Sequence, residues 1–440
     1  MAAAHEDFSL PASAGAALPT AVRAEGIRVW DREGNEYLDA CGGAMVTLLG
    51  HRHPRLVAAA KRQLDQMTFS YRFSFSNEPM VELAELIREI SPMPRGWSFF
   101  NSSGSESVES AIHLALLYWQ YRGRPEKVEL IGRVPGFHGS TLGALSLSGS
   151  KWRKAFDHVL APNAVAETPG ADIRARRSPE EACRFGLQEL ERAIEARGAQ
   201  NVAAVFLEPI TGASAAAVVP PDGYLQGVRD LCDRHDVLLV ADETITGFGR
   251  TGRWWASDHW GVAPDVTTFA KGVTSGIVPF SGMVVAEPVA QVLTAGGGFP
   301  YGHTFSGNPL GCAVAAESIR VIRDEDLLGR ANQLGAHLRQ RLDEIAAASP
   351  HVGEIRGRGL LLGLELVEDR STLTPLAGGA ARLRQLAFEQ GLMIYACPTP
   401  LRDTMIEAVL LAPPLVVTDD DVEQVVERLA TSLAAVGRSS

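Results

Sequence analysis

Cysteine is scarce in this 440-residue chain and falls in no paired pattern. The five cysteines, Cys41, Cys183, Cys232, Cys312 and Cys397, are scattered, odd in number and form no CxxC. This argues against a disulfide framework and against a metal site built on thiols, and it fits a reducing, cytoplasmic setting. Buried inert thiols are the ordinary reading, with one reactive thiol as the alternative. Long apolar runs are also missing, since none reaches the ~18 residues of a membrane-spanning helix. Positive charge is in deficit. The 41 Lys and Arg stand against 52 Asp and Glu, for a net charge of -11. Such a chain is a poor partner for nucleic acid or an anionic membrane, and the local spot at Arg174, Arg176 and Arg177 does not reverse this. The first twenty residues lack a basic n-region and are broken by Pro11 and by charged residues, so no signal peptide is expected. An arm over residues 1–25, flexible or reaching over a partner subunit, is expected instead. It is too short and too little basic to be a DNA-binding domain.

What the chain does have is ordinary globular composition, 46% hydrophobic and 21% charged, and length for two or three domains. Its most informative stretch is Asp236 to Gly276, DVLLVADETITGFGRTGRWWASDHWGVAPDVTTFAKGVTSG. Two short apolar, β-branched runs, Val237–Ala241 and Val266–Ala270, read as strands buried on both faces of a parallel sheet. The first ends at Asp242 and the second at Lys271. Ligands bind at the carboxyl ends of strands in such sheets. An acid and a lysine delivered there match the needs of pyridoxal phosphate (PLP), whose aldehyde takes a lysine amine and whose pyridine nitrogen takes a carboxylate. A buried Asp–Lys ion pair is the plain alternative for the two residues taken alone.

A second motif is NSSGSESVESAIHLALLYW, in which a strand, Trp97–Phe100, runs through a Gly/Ser turn into a helix. Ser105 with Glu106 and Glu109 gives cap-like chemistry at the helix start. Free N–H groups and the positive end of the dipole there suit a phosphate, and Gly104 allows close backbone approach. An ordinary helix cap is the alternative. Tyr71 and Arg72, in TFSYRFSFSNEP, are candidates for a substrate-pocket wall or are residues of a surface loop.

DETITGFGRTG, FAKGVTSG and the Ser-Gly-Ser-Glu run together resemble the class III aminotransferases, a branch of the fold-type-I PLP enzymes. The resemblance extends from about Gly26 to the C-terminus. It implies an α/β fold, with a large domain on a mostly parallel seven-stranded sheet and a smaller α+β domain. It implies that Lys271 is the Schiff-base lysine, that Asp242 partners the pyridine nitrogen, and that Gly104 and Ser105 hold the cofactor phosphate. Phe137 and His138 match the family's aromatic-His-Gly motif, in which the aromatic stacks on the ring. The family usually has Tyr where this chain has Phe137, and Val where it has Thr244. Glu208, in the Glu-Pro motif after the strand Val202–Leu207, is expected to border the site, gating an arginine or orienting the substrate amine. A solvated acid is the alternative. Thr304 is expected to reach the cofactor phosphate of the neighbouring subunit, which implies a homodimer with shared active sites. Arg402 is the nearest candidate for the arginine with which many relatives bind a substrate carboxylate, and a solvated loop arginine is the equal alternative.

The expected organisation is an arm at 1–25, an N-terminal segment at 26–75 that packs with the small domain, a large PLP domain at 76–325 and a small domain at 326–440. A hairpin is expected in 27–40, further strands at 128–132, 392–395 and 406–411, an irregular loop at 150–177, and helices at 54–67, 78–90, 178–197, 221–235, 310–323, 327–348, 380–390 and 418–436. The expected activity moves an amino group from an amine or amino acid to a ketone, aldehyde or keto acid. The same scaffold also supports epimerases, aminomutases, decarboxylases and carbon–carbon bond-forming enzymes.

Overall fold

The computed structural model describes residues 18–149, 153–402 and 404–437. The expected arm at 1–25 falls mostly on residues 1–17, outside the described residues. Its last five residues form β1 (Ala21–Glu25), which continues into an antiparallel meander with β2 (Arg28–Asp31) and β3 (Glu36–Asp39). The β2–β3 turn is closed by the Asp31 carboxylate, which accepts from the Asn35 backbone and side-chain amides at 2.8 Å each.

The central layer is a seven-stranded sheet of β4 (Trp97–Asn101), β5 (Glu129–Val134), β6 (Ala164–Glu167), β7 (Val202–Leu207), β8 (Leu238–Asp242), β9 (Val266–Phe269) and β10 (Ser281–Val285). Their spatial order is β4-β10-β9-β8-β7-β5-β6, and β10 runs antiparallel to both of its neighbours, β4 and β9. Strands β7 to β9 are buried at every position, as expected for a sheet covered on both faces. Their three C-terminal ends lie side by side, so Glu208, Asp242 and Lys271 emerge together at one edge of the sheet.

The helices at 54–66, 78–90, 179–197, 309–324, 327–348, 379–389 and 419–436 lie within two residues of the expected spans. The loop expected at 150–177 holds the edge strand β6 and three short 3-10 turns, with 150–152 outside the described residues. Four residues with no clean alternation left β6 unreadable.

The C-terminal part builds its own sheet from β11 (Val352–Arg358), β12 (Leu361–Asp369), β13 (Thr374–Pro375), β15 (Tyr395–Ala396) and β18 (Ala408–Leu411). Between them, β14 (Leu392–Met393) leaves that sheet to pair in parallel with β3, Leu392 opposite Leu38. The N-terminal meander is thereby joined to the C-terminal part. The strands expected at 392–395 and 406–411 are each split, and a separate ribbon, β16 (Thr399–Leu401) with β17 (Thr404–Ile406), lies between them in sequence.

Behind β9 the core is aromatic. Phe269 is fully buried and packs edge-on or tilted against Phe248 at 5.3 Å, Trp255 at 6.1 Å and Phe100 at 6.5 Å between ring centroids. This cluster fixes the strand two residues before Lys271. Phe269→Ala is expected to destabilise the fold by about 3–5 kcal/mol. Calorimetry reads this as a lowered Tm, and an unchanged Tm would show that the cluster does not hold β9.

Candidate active site

Strand register places the acid. Asp242 at the end of β8 stands opposite Thr268 in β9, and the Thr268 hydroxyl donates to Asp242 Oδ1 at 3.0 Å. The backbone N–H of Thr244 donates to the same oxygen at 3.1 Å, and His138 Nδ1 lies 2.9 Å from Oδ2. Burial alone would raise the Asp242 carboxyl. The hydrogen bond and charge of His138, with Thr244, outweigh it and hold the group below its ordinary value. His138 is itself fixed, its backbone N–H donating to Ser148 Oγ at 2.8 Å.

Lys271 follows β9 with a left-handed φ of 46° and sends its amine to the backbone carbonyl of Ala44 at 3.0 Å. Among the described residues no carboxylate lies within ion-pair distance of it. Asp242 spends its oxygens on His138, Thr268 and Thr244, so the two residues do not form the buried ion pair that was the plain alternative. Burial lowers the Lys271 amine below its ordinary 10.5, although the charges of Asp242 and Glu208 oppose the shift.

Both residues line one cavity of about 540 Å³, with Ser103, Gly104, Ser105, Phe137, His138, Glu208 and Thr244. That volume lies within the range of small-molecule sites. The helix Gly104–Tyr121 points its start at the cavity. Its cap is Ser103, not Ser105. Ser103 Oγ accepts from the Glu106 N–H, and Glu106 reaches back to the Ser103 N–H. Ser105 lies two residues past the cap, and its hydroxyl accepts from the Ser140 N–H at 3.0 Å. Glu109 accepts from the Ala144 N–H at 3.2 Å. The N–H groups of Gly104 and Ser105 have no carbonyl four residues back inside the helix. A Cβ on Gly104 would stand 3.3 Å from Thr244 Cγ2, so glycine keeps the helix start against the end of β8.

Glu208 is half-buried and engaged by protein donors, not a free solvated acid. It accepts from the backbone N–H groups of Phe137 at 3.0 Å and Gly212 at 2.6 Å and from the Ser214 hydroxyl at 2.9 Å. Its carboxyl is raised by burial, which His138 and the Gly212 N–H partly offset. No arginine touches it among the described residues.

Four expected site residues lie outside this cavity. Arg402 is paired with the buried Glu167 at the turn of the β16–β17 ribbon, so its guanidinium is engaged away from the lysine. Arg72 donates to the carbonyls of Tyr301 at 2.8 Å and Phe299 at 3.1 Å, and Tyr71 and Thr304 are exposed. Residues not foreseen complete the walls, among them Val46, Ile245, Phe280, Tyr395 and Thr399. Thr268 carried a readable signal, a buried polar residue inside an apolar strand.

A family model described as aminotransferase class-III matches residues 11–433. The putrescine–pyruvate aminotransferase of Pseudomonas aeruginosa is 37% identical over 416 residues, covering 92% of this chain and 88% of its own. The chain belongs to the class III aminotransferases. The omega transaminase of Pseudomonas jessenii in complex with PMP superposes with a TM-score of 0.89 at 33% identity, over 95% of this chain and 93% of that one. An (S)-enantioselective omega-transaminase of Thermomicrobium roseum gives 0.87 at 34%, over 95% and 93%.

As a class III aminotransferase the enzyme is PLP-dependent, and its fold is fold type I. The cavity fits the cofactor: an amine free of any carboxylate, a carboxylate held in its charged form, and the open N–H groups of a helix start line one space. The aminotransferase's lysine should therefore react at lower pH than a solvated one. The rate at which apoprotein takes up PLP is expected to rise with pH as Lys271 loses its proton, and to level off below 10.5. Stopped-flow absorbance across pH measures this, and a rate still climbing past 10.5 would contradict the lowered amine.

Proposed function

We propose that this aminotransferase moves an amino group between a small-molecule amine or amino acid and a ketone, aldehyde or keto acid, with Lys271 as the covalent anchor of PLP and the proton carrier. The observation that carries this reading is the half-buried Lys271 amine, bound among the described residues only to a carbonyl and lining one cavity with Asp242. Bound PLP supplies an electron sink for negative charge at the substrate carbon. Asp242, kept charged by its donors, would hold a proton on the pyridine nitrogen. Phe137 would offer a flat apolar face to the ring. Gly104 and Ser105 would present their N–H groups to the phosphate. Thr244 lines the same cavity. Glu208 ties Phe137 to the 212–214 wall and keeps both in place. With PLP bound, the Lys271 amine, made less basic by burial, would be the group placed to take and return a proton at the substrate carbon.

The cavity walls favour a donor amine with an apolar body, since Val46, Ile245, Phe280 and Tyr395 contribute carbon surface and no arginine lines the space among the described residues. The name of the putrescine–pyruvate relative supports a primary amine. A reducing compartment, the cytoplasm, suits five scattered cysteines that form no CxxC pattern. No helix among the described residues is long and apolar enough to cross a membrane.

A homodimer completes the proposal. Phe73, Phe75 and Phe305 are 62%, 70% and 55% exposed, an apolar surface unusual for a face left in water. Phe69 meets Phe305 edge-on at 5.8 Å, and Arg72 binds the 299–301 backbone, so this face is held as one piece with Thr304. A second copy docked there brings Thr304 to the neighbour's cofactor phosphate.

Lys271→Ala is expected to lower turnover by at least about 10³-fold. Turnover at the wild-type rate would sink the assignment. Phe73→Asp with Phe305→Asp is expected to sediment at the mass of one chain, 47.1 kDa, and to lose activity. A variant that stays dimeric would place the interface elsewhere.

A further inference from the structure

The loop after Glu208 is closed at its neck and strained at its tip. At the neck, the Thr211 N–H donates to the Val218 carbonyl at 3.1 Å and the Val218 N–H donates to the Thr211 hydroxyl at 2.8 Å. At the tip, Ala216 and Ala217 stand consecutively in the left-handed region, with φ of 49° and 61°. Neither is glycine, so this backbone persists only where neighbours impose it. One side of the loop, Ala213 and Ser214, is cavity wall.

The imposing neighbour is Arg356 of β11. It is buried, 6% exposed, and donates Nε to the Ala216 carbonyl at 3.0 Å and a terminal N–H to the Ala215 carbonyl at 2.8 Å. Its remaining N–H groups meet the buried Glu365 and, at 2.9 Å, Glu354. Strand register assembles this receptor. Arg356 stands opposite Gly363 of β12, and Glu354 opposite Glu365. A methyl on Gly363 would overlap the Ala216 carbonyl oxygen, so glycine makes the room that the loop tip occupies. A guanidinium can grip two carbonyls and a carboxylate at once in a fixed plane, and an ammonium cannot.

We propose that Arg356 is a positioning residue that sets donor specificity: by holding the Ala215 and Ala216 carbonyls it fixes the Ala213–Ser214 wall and thereby the room left for the substrate's substituent. It acts through the loop and touches no reacting atom. The proposal rests on the reading of the Lys271 cavity as the reaction site.

The test uses the PLP-loaded enzyme and two variants. Arg356→Lys keeps a positive charge beside Glu365, and Arg356→Met with Glu365→Met removes both charges, so that neither leaves a lone buried ion. Donors are n-propylamine, n-hexylamine and 1-phenylethylamine, with pyruvate as acceptor. In both variants the ratio of kcat/KM between the bulkiest and smallest donor used is expected to change at least about fivefold, carried by KM, while kcat for the smaller donor stays within about twofold. Hydrogen exchange is expected to quicken in 211–218 and to stay at the wild-type level in β7 and β8. A uniform loss over all donors, or exchange quickened across the whole sheet, would make Arg356 merely structural and overturn the proposal. Unchanged exchange in 211–218 would overturn it as well, whichever amines are turned over. Retained cofactor absorbance in the variants separates these outcomes from failure of the Lys271 reading, which would appear in Lys271→Ala instead.

Discussion

A carboxylate at the end of a buried strand is expensive to keep charged, and the site depends on meeting that expense at Asp242. Desolvation pushes such a group towards its neutral form, and only donors or positive charge can reverse the push. Here strand register delivers the Thr268 hydroxyl, the turn after β8 delivers the Thr244 N–H, and the 137–140 loop delivers His138. Because Asp242 is satisfied by these three, it makes no ion pair with Lys271. The lysine is left with a carbonyl, and burial then makes it less basic. One arrangement of donors therefore sets both groups, the acid charged and the amine ready to lose its proton.

The surrounding architecture serves this pair. The aromatic cluster around Phe269 fixes β9 from behind, and the Ala44 carbonyl that receives Lys271 comes from the N-terminal segment. Cavity walls come from both ends of the chain, Val46 on one side and Tyr395 and Thr399 on the other. The parallel pairing of β14 with β3 joins those ends. Glu208 extends the same logic sideways, since one carboxylate fastens Phe137 and the 212–214 wall together.

The strongly patterned parts of this fold were legible in the sequence. Strands β7 and β8 are continuous apolar runs and β9 is a β-branched one, VTTF, each followed by or ending in a chemically distinctive residue, and the long helices carry their caps and spacing. The family resemblance supplied the seven-stranded sheet, where the residues alone had indicated five of its strands. Strand β6 is four residues long and half exposed, and β10 is a short SGMVV run without turn signals of its own, so neither rose above the background. At the helix Gly104–Tyr121, Ser103 and Ser105 both fit a cap in NSSGSES. Only the backbone decides that Ser103 holds the extended φ and ψ of a cap. Glu208 holds Phe137 from 71 residues away, and Arg402 pairs with Glu167 across 235 residues (402 − 167), contacts that no local pattern records. Arg402 shows this most plainly, since its counter-ion Glu167 lies on the strand that the sequence did not reveal.

The account turns on which amine holds the cofactor, and the chain offers five lysines, Lys61, Lys127, Lys151, Lys154 and Lys271. The most direct measurement is to reduce the PLP-loaded enzyme with borohydride, digest it and locate the retained pyridoxyl mass by tandem mass spectrometry. The mass is expected on Lys271 alone, in near-stoichiometric yield. The same mass on Lys127 or another lysine, with Lys271 unmodified, would contradict the account.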